Sequence, residues 1–524
     1  MTQKTSSVAT AFKVVPKEYR DSVSLMQLSA LLAKLPGIEQ ASAVMGTENN
    51  LALLTEAGFG VGATGAGAAD LLIVVRGAQS ALAGAIEEAL QHLTRQPDSG
   101  AGQPAAARKP RSMEMALSEA GASNMALIST PGEYAGAEAM KALRLGLNVM
   151  LFSDNVSEEE ELRLKRFANR QDLIVMGPDC GTAIINGVPL AFANVVRRGP
   201  IGAVGASGTG LQQVTVLVDR LGVGVSQAIG TGGRDLHRKI GGIAMSKGLK
   251  DLAADPATKV IVLISKPPAE EVAHRILSEA RKADKPVVVN FLGADPSKIS
   301  GGGVHGARTL EDAARAAVAI VRGEIPRQSY GDAPPQLVGL PPLEAGQRYI
   351  RGLYSGGTFC YEAALLLDER LADVYSNTPA RPQAELTDLW RSHHHTLIDL
   401  GDDIFTRGRP HPMIDYRLRN ERIAKEAEDP ETAVILLDVV LGYGSNADPA
   451  GELVPALRRA RQIAAQGGRN IVFVGHVCGT DADPQGFDAQ TNALTQAGMV
   501  LTQSNAQAVR LAASMVSGRA PGRG

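Results

Sequence analysis

Aromatic residues make up only 4% of this 524-residue chain, and cysteine occurs three times, at Cys180, Cys360 and Cys478. Three scattered thiols build neither a disulfide framework nor a clustered metal site, so a stapled, secreted fold is excluded and a reducing cytosol fits. Net charge is almost absent: 53 Lys and Arg stand against 55 Asp and Glu, a balance of -2. No bulk field is left to attract nucleic acid or an anionic membrane. No run approaches the ~18 apolar residues of a membrane helix, and MTQKTSSVATAFKVV lacks an apolar core with a cleavage site. A soluble, cytoplasmic protein is expected, with small molecules and other proteins as its partners.

Glycine, in contrast, is abundant at 57 residues without a collagen-like period. With so few aromatics, this suits an α/β protein with many tight strand-to-helix turns. Length alone calls for several cores, at ~100 to 200 residues per domain. Residues 1–100 read as a small α+β unit, followed by a Pro, Gly and Ala-rich linker over 96–111. Over 112–198, NMALIST, NVMLFS and DLIVMG alternate with helical patterns, the rhythm of a parallel sheet covered on both faces. The rhythm continues over 199–323 in GAVGASGTG, KVIVLIS and PVVVNFLG. A proline-rich linker at 324–347 precedes another such unit over 348–518, then a basic, glycine-rich tail. The expected fold class is multidomain α/β, with Rossmann-like and flavodoxin-like parallel-sheet domains and a small α+β amino-terminal unit.

Two turns look like one device used twice: GAVGASGTGLQQV (202–214) and YIRGLYSGGTFCYEAA (349–364). Each sets Ser, Gly and Thr between an apolar strand and a helix. A helix start leaves backbone N–H groups unpaired and carries about half a positive charge, and glycine lets a ligand approach. Ser207, Gly208 and Thr209, with Ser355, Gly356, Gly357 and Thr358, can therefore cradle phosphate oxygens. Neither turn is a Walker loop, and ordinary N-capping is the alternative reading.

His305, in SGGGVHGART, offers an imidazole as phosphoryl acceptor or general acid or base, unless it is an ordinary surface residue. Arg234, in GTGGRDL, can grip a carboxylate, with a structural arginine as the alternative. His393, His394 and His395 are adjacent and cannot converge on one ion, so no metal site is expected. Cys180 and Cys478 follow apolar strands and read as buried small residues.

Over 124–322, the landmarks GPDCGTAI, GAVGASGTG, ATKVIVLISKPPAEE and VVVNFLG, the last leading to His305, resemble the α subunit of succinyl-CoA synthetase and the related part of ATP-citrate lyase. From Tyr349 to about Ser517, YSGGTFCYEA, TLIDLGDD, VILLDVVLGYG and VFVGHVCG resemble the carboxy-terminal domain of the β subunit. The resemblance assigns 112–198 as a CoA-binding-type domain, 199–323 as an α-like ligase domain and 348–518 as a β-like domain. It implies a fused phosphate site in which one helix start from each half faces a shuttled phosphohistidine, at the position of His305.

With its small amino-terminal unit, the layout resembles the FdrA proteins. Some of these are regarded as subunits of a carbamoyltransferase acting with oxamate and carbamoyl phosphate in purine-nitrogen catabolism; others are labelled acyl-CoA synthetases. Three departures bear on the choice. No G-x-T-G-x-x-G loop precedes Asn124, which argues against CoA. No segment suits an ATP-grasp domain. Lys266 stands where the family has the acidic partner of its phosphohistidine, and a lysine repels a cationic imidazole while attracting phosphate.

The expected function is thus a carbamoyltransferase subunit, with carbamoyl phosphate as a substrate and no resident cofactor. Lys266 and His305 would act in catalysis, and Arg234 would hold the carboxylate of an acceptor such as oxamate. One alternative is a nucleoside-diphosphate-forming acyl-CoA ligase in which His305 is phosphorylated. Another is a non-catalytic scaffold or regulatory subunit. Companion subunits and a homo-oligomer are expected.

Overall fold

The computed structural model describes residues 8–60, 64–94, 110–327, 341–407 and 409–517. Most of the two expected linkers, and the basic tail, lie outside them.

The amino-terminal unit is a three-stranded antiparallel sheet in the order Val8–Val15, Leu71–Ala78, Ile38–Met45. Its middle strand is apolar at every position from Leu71 to Val75 because it is covered twice. Leu71, Ile73 and Val75 pack on Leu28 and Leu32, while Leu72 and Val74 meet Leu54 and Phe59 on the other face. Helix Ser22–Ala33 starts at Asp21, whose carboxylate accepts the Ser24 N–H.

The next sheet is short, with parallel strands Met125–Ile128, Asn148–Leu151 and Val175–Met176. Helix Glu158–Arg170 is capped by Ser157 and opens on four glutamates, which complement its positive end. It is tied to the following unit from within: Lys165 donates to Glu161, Asp235 and the Thr231 carbonyl, with all three side chains buried.

A seven-stranded sheet follows, in the order Val304–Gly306, Val287–Phe291, Val260–Ser265, Arg198–Ala206, Val225–Gly230, Thr182–Ile185, Val188–Ala191. The last two strands form a hairpin that joins this sheet through Ala228 and Ile184. The unit therefore begins ahead of the boundary expected at 199. The hairpin turn is Asn186-Gly187, both at positive φ, the pairing that a two-residue hairpin favours.

The fourth sheet is wholly parallel, in the order Val374–Ser376, His395–Asp399, Tyr349–Tyr354, Thr432–Val440, Val472–Cys478, Met499–Thr502.

The two large sheets share one core. Helices Gly208–Arg220, Leu310–Val321, Gly357–Asp368 and Asn505–Val516 pack together through Leu211, Val214, Ala313, Ala317, Ala363, Leu367, Val509 and Ala512. Alanines let the helices approach closely, and several polar groups pair across the seam. Glu362 accepts the Leu310 N–H at 2.9 Å and the Asn505 amide at 2.8 Å, and Glu311 accepts the Ser504 hydroxyl at 2.6 Å. Asn194, between the hairpin and the next strand, donates to Asp483 at 2.8 Å and to the Leu441 carbonyl at 3.0 Å. Buried hydrogen bonds placed in this way hold the two sheets in one orientation.

Candidate functional site

Parallel α/β sheets bind ligands beyond the carboxyl ends of their strands. Here two such edges face each other. Ser207 caps helix Gly208–Arg220, its Oγ accepting the Gly210 N–H at 3.0 Å. The same Oγ lies 2.6 Å from Oγ1 of Thr358, in the first turn of helix Gly357–Asp368. The approach needs glycine at 356: a Cβ there would stand 2.9 Å from Thr209 Cγ2 and 2.7 Å from the Phe359 ring.

Asp438 organises the second turn, accepting the N–H groups of Ser355 and Gly356 and the Ser355 hydroxyl, each at 2.8 Å. It is itself paired with Arg419 at 3.0 Å, and both side chains are buried. Ser355 is thereby committed to the turn. Among the described residues, no acceptor meets the N–H groups of Gly208 and Thr209 on one helix, or of Gly357 and Thr358 on the other. Two partial positive charges converge there with donors to spare.

Lys266 adds a full charge. It follows strand Val260–Ser265, and because Ser265 pairs with Ala206, it emerges level with Ser207. A Cβ on Gly357 would lie 3.5 Å from its Nζ, so the lysine crosses to the second helix start. Behind it, burial pushes the Asp399 carboxyl up to about 6, with Lys266 opposing.

His305 stands apart from this group. Gly301, Gly302 and Gly303 all take positive φ and form a tight turn, after which His305 enters edge strand Val304–Gly306 opposite Val288. Val288 is level with Val262, four residues short of Lys266, and the edge strand lies two strands away. At ~3.3 Å per residue and ~4.8 Å per strand, the His305 backbone is roughly 16 Å from that of Lys266. It does not line the cleft.

The helix starts form the floor of a cleft of about 1070 Å³. Its walls bring together groups that local sequence does not mark. Asp179, at φ 54°, is solvent-exposed where it lines the cleft, although the cleft walls crowd around it. Burial pushes its carboxyl to about 7; Asp154 and Asp403 add to the rise, and Arg234 and Lys266 oppose it. Arg234 also lines the cleft, held by Glu161 at 3.1 Å and the Val156 carbonyl at 2.7 Å.

His411 is a histidine at the helix starts. A Cβ on Gly401 would lie 2.8 Å from its Nε2 and 3.0 Å from the Ser355 carbonyl. Its Nδ1 accepts the Met413 N–H at 3.2 Å, and burial lowers its pKa to about 4. The ring is therefore neutral with its proton on Nε2, a hydrogen-bond donor rather than a base.

The remaining candidates serve the fold. Burial pushes the Cys180 thiol up to about 12 and raises the Cys360 and Cys478 thiols as well, so none supplies a ready thiolate. His395 is buried and accepts the Ile350 N–H at 3.1 Å. Among the described residues, no group of three or more His, Cys, Asp or Glu could hold a metal ion, and no helix is long and apolar enough to cross a membrane.

Three family models match. Residues 353–515 match CoA-ligase, 197–293 match CoA binding domain, and 8–110 match AllF, heavy metal-associated domain. Along almost its whole length the chain is similar to YahF of Escherichia coli (strain K12), 43% identical over 96% of this chain and 98% of that one. It is also similar to a mitochondrial succinate–CoA ligase [ADP-forming] subunit alpha-2 of Trichomonas vaginalis, at 27% identity over 33% of this chain and 57% of that subunit. Among solved structures, an apo dinucleotide-forming acetyl-coenzyme A synthetase 1 of Ca. Korarchaeum cryptofilum is 14% identical over 75% of this chain and 82% of that one, with a TM-score of 0.31.

The donors of the cleft suit a phosphate-bearing substrate, and the helix start at Ser207 lies within the segment matched to a CoA-binding domain. A heavy metal does not suit the first unit. Residues 8–110 contain no cysteine and a single histidine, His92, exposed on helix Gln79–Thr94. Soft metal ions take thiolates and imidazoles.

Proposed function

We propose, for a chain that belongs to the family of Escherichia coli YahF and carries CoA-ligase and CoA-binding domains, that it transfers an acyl group between phosphate and an acceptor at the paired helix starts. The reading is that of an acid–CoA ligase-type enzyme working through an acyl phosphate. The observation that supports it is the 2.6 Å contact between Ser207 and Thr358, which brings two separate helix starts together at one point.

The chemistry follows from the groups present. The phosphoryl end of an acyl phosphate lies on the N–H groups of Gly208, Thr209, Gly357 and Thr358, with Lys266 neutralising its charge. The acceptor attacks the acyl carbon, the bond from that carbon to the phosphate oxygen breaks, and inorganic phosphate departs. Asp179 takes the proton that the acceptor sheds, a task suited to a carboxyl near 7. His411 donates a neutral hydrogen bond to an oxygen that gains charge.

One observation favours a narrower version. His305 lies away from the helix starts, so this chain suits an acyl phosphate made elsewhere. Carbamoyl phosphate is such a molecule, and transfer of its carbamoyl group to an acceptor such as oxamate is the second reading. Companion chains, if used, would add nucleotide chemistry to the first.

Incubation of the full chain with acetyl phosphate plus CoA, and with carbamoyl phosphate plus oxamate, tests both by phosphate release and product mass. Thioester supports the ligase-type reading, and carbamoylated oxamate supports the second. Silence in both, with companion chains present, defeats the proposal.

A further inference from the structure

Arg234 reaches the cleft with its guanidinium already fixed. The loop at 231–235 is clamped at both ends. Lys165 donates to the Thr231 carbonyl at 2.9 Å and to Asp235 at 2.8 Å. Asp235 in turn accepts the Ala244 and Met245 N–H groups, at 3.2 Å and 2.9 Å, in the first turn of helix Ile243–Ala254. The side chain is held as well: Nε donates to Glu161, a buried carboxylate that Lys165 orients at 2.8 Å, and Nη2 donates to the Val156 carbonyl. Nη1 is left over. Among the described residues it meets no acceptor, and the side chain stays 37% exposed on the cleft wall. Such a group needs no further ordering when a ligand arrives.

Its place relative to the helix starts follows from the sheet. Arg234, Ser207 and Lys266 lie on loops that leave one edge of one sheet, after the adjacent strands Val225–Gly230, Arg198–Ala206 and Val260–Ser265. Gly230 pairs with Gly205, and Ser265 with Ala206, so the loops emerge almost level. Ser207 therefore stands between the two cations, with one strand spacing of ~4.8 Å on either side. The loop of Asp179 lies against that of Arg234: a Cβ on Gly232 would lie 2.3 Å from the Pro178 carbonyl, and one on Gly230 would lie 2.6 Å from Cys180 Sγ. The Asp179 carboxylate feels both Arg234 and Lys266.

A guanidinium edge one strand from a phosphate-binding helix start suits a carboxylate on the molecule that reacts there, because its N–H groups match carboxylate oxygens and the bond is strengthened by charge. One strand spacing limits that molecule to a short acid, of about two to four carbons.

We propose that Arg234 determines the specificity of the cleft: its Nη1 holds a carboxylate that takes no part in the reaction, and so selects a short acid with a second, reacting group. This rests on the reading of the helix starts as the phosphoryl site. It applies to the acyl donor in the ligase-type version and to the acceptor in the carbamoyl version.

Arg234 also balances Glu161 and Asp235 together with Lys165, and a purely structural arginine would leave ligand preference untouched. Isothermal titration of the full chain, with and without inorganic phosphate, separates the two roles. Oxamate and succinate are compared with their uncharged amides, oxamide and succinamide. At least one acid should bind at least about tenfold more tightly than its amide, the effect of one charge-assisted hydrogen bond. Arg234→Met should abolish that preference. Arg234→Lys should restore part of it, since it returns the charge without the fork. Phosphate should bind all three proteins alike, which also shows that the variants fold. Failure of both acids to bind, equal binding of acid and amide by wild type, or a preference that survives in Arg234→Met would each overturn the inference. Loss of phosphate together with the acid in Arg234→Met alone would assign the residue to the fold and overturn it too. Failure of phosphate to bind any of the three proteins, with the acid preference lost in Arg234→Met and partly regained in Arg234→Lys, would overturn the helix-start reading and spare Arg234.

Discussion

The hydroxyl oxygens of Ser207 and Thr358 lie 2.6 Å apart although 151 residues separate them. Each belongs to the first turn or cap of a different helix on a different sheet. Their contact aligns the positive ends of both helices on one point, and Lys266 reaches the same point. Substitutions there should therefore affect anion binding more than folding.

Ser207→Ala removes the cap on Gly210 and the bond to Thr358. A lost cap costs about 1 kcal/mol, and Thr358→Val should act at the same place. In a double-mutant cycle the two should be non-additive, both for urea stability and for the KM of an acyl phosphate. Strict additivity would show that the contact does not couple the helix starts.

Lys266→Met should lower kcat by about 10² to 10³, the usual cost of losing one donor to a developing negative charge. Lys266→Glu should also abolish phosphate affinity, because it sets like charge against the ligand. Steady-state kinetics with acetyl phosphate or carbamoyl phosphate, alongside phosphate titration, checks both.

Asp179 must be ionised to accept a proton, so kcat/KM should rise with pH and reach half its plateau near 7. Asp179→Asn should remove that limb and most of the rate. His411, held neutral with a pKa of about 4, should add no inflection between pH 5 and 8. The same carboxyl affects stability with a definite sign. Its folded pKa of about 7 lies above the ordinary 3.8, so between these values only the folded state keeps the proton. Stability from this group is present at low pH and is lost as pH rises through 7. Asp179→Asn should flatten that dependence in urea titrations.

Asp438→Ala should destabilise strongly. It leaves Arg419 buried without its partner and frees the N–H groups of Ser355 and Gly356, a loss of about 3 to 5 kcal/mol. Denaturant unfolding measures this. His305→Ala, in contrast, should leave activity and phosphate affinity unchanged, since its strand lies away from the cleft.

Much of the fold is legible locally because apolar runs and glycine turns obey short-range rules. The strands at Leu71, Val260, Val287, Tyr349 and Thr432, and the helices after Ser207 and Gly356, follow from pattern alone. The repeated Ser, Gly and Thr turn likewise points to two similar helix starts. Less accessible is what depends on distant packing. Three glycines before His305 name no conformation by pattern alone, but their positive φ values build a turn into an edge strand. The Asn186-Gly187 hairpin carries a clear turn signal, yet no local rule says which sheet it joins. Asp154, Asp179 and Asp403 are unremarkable in sequence and acquire meaning only because three units place them in one cavity. His411 depends in the same way on neighbours contributed by other segments.

The most direct test is a crystal of the full chain soaked in inorganic phosphate. The account predicts density for the anion between the N–H groups of Gly208 and Thr209 and those of Gly357 and Thr358, with Lys266 Nζ in contact. Phosphate bound instead at Arg234, with the paired helix starts empty, would contradict it.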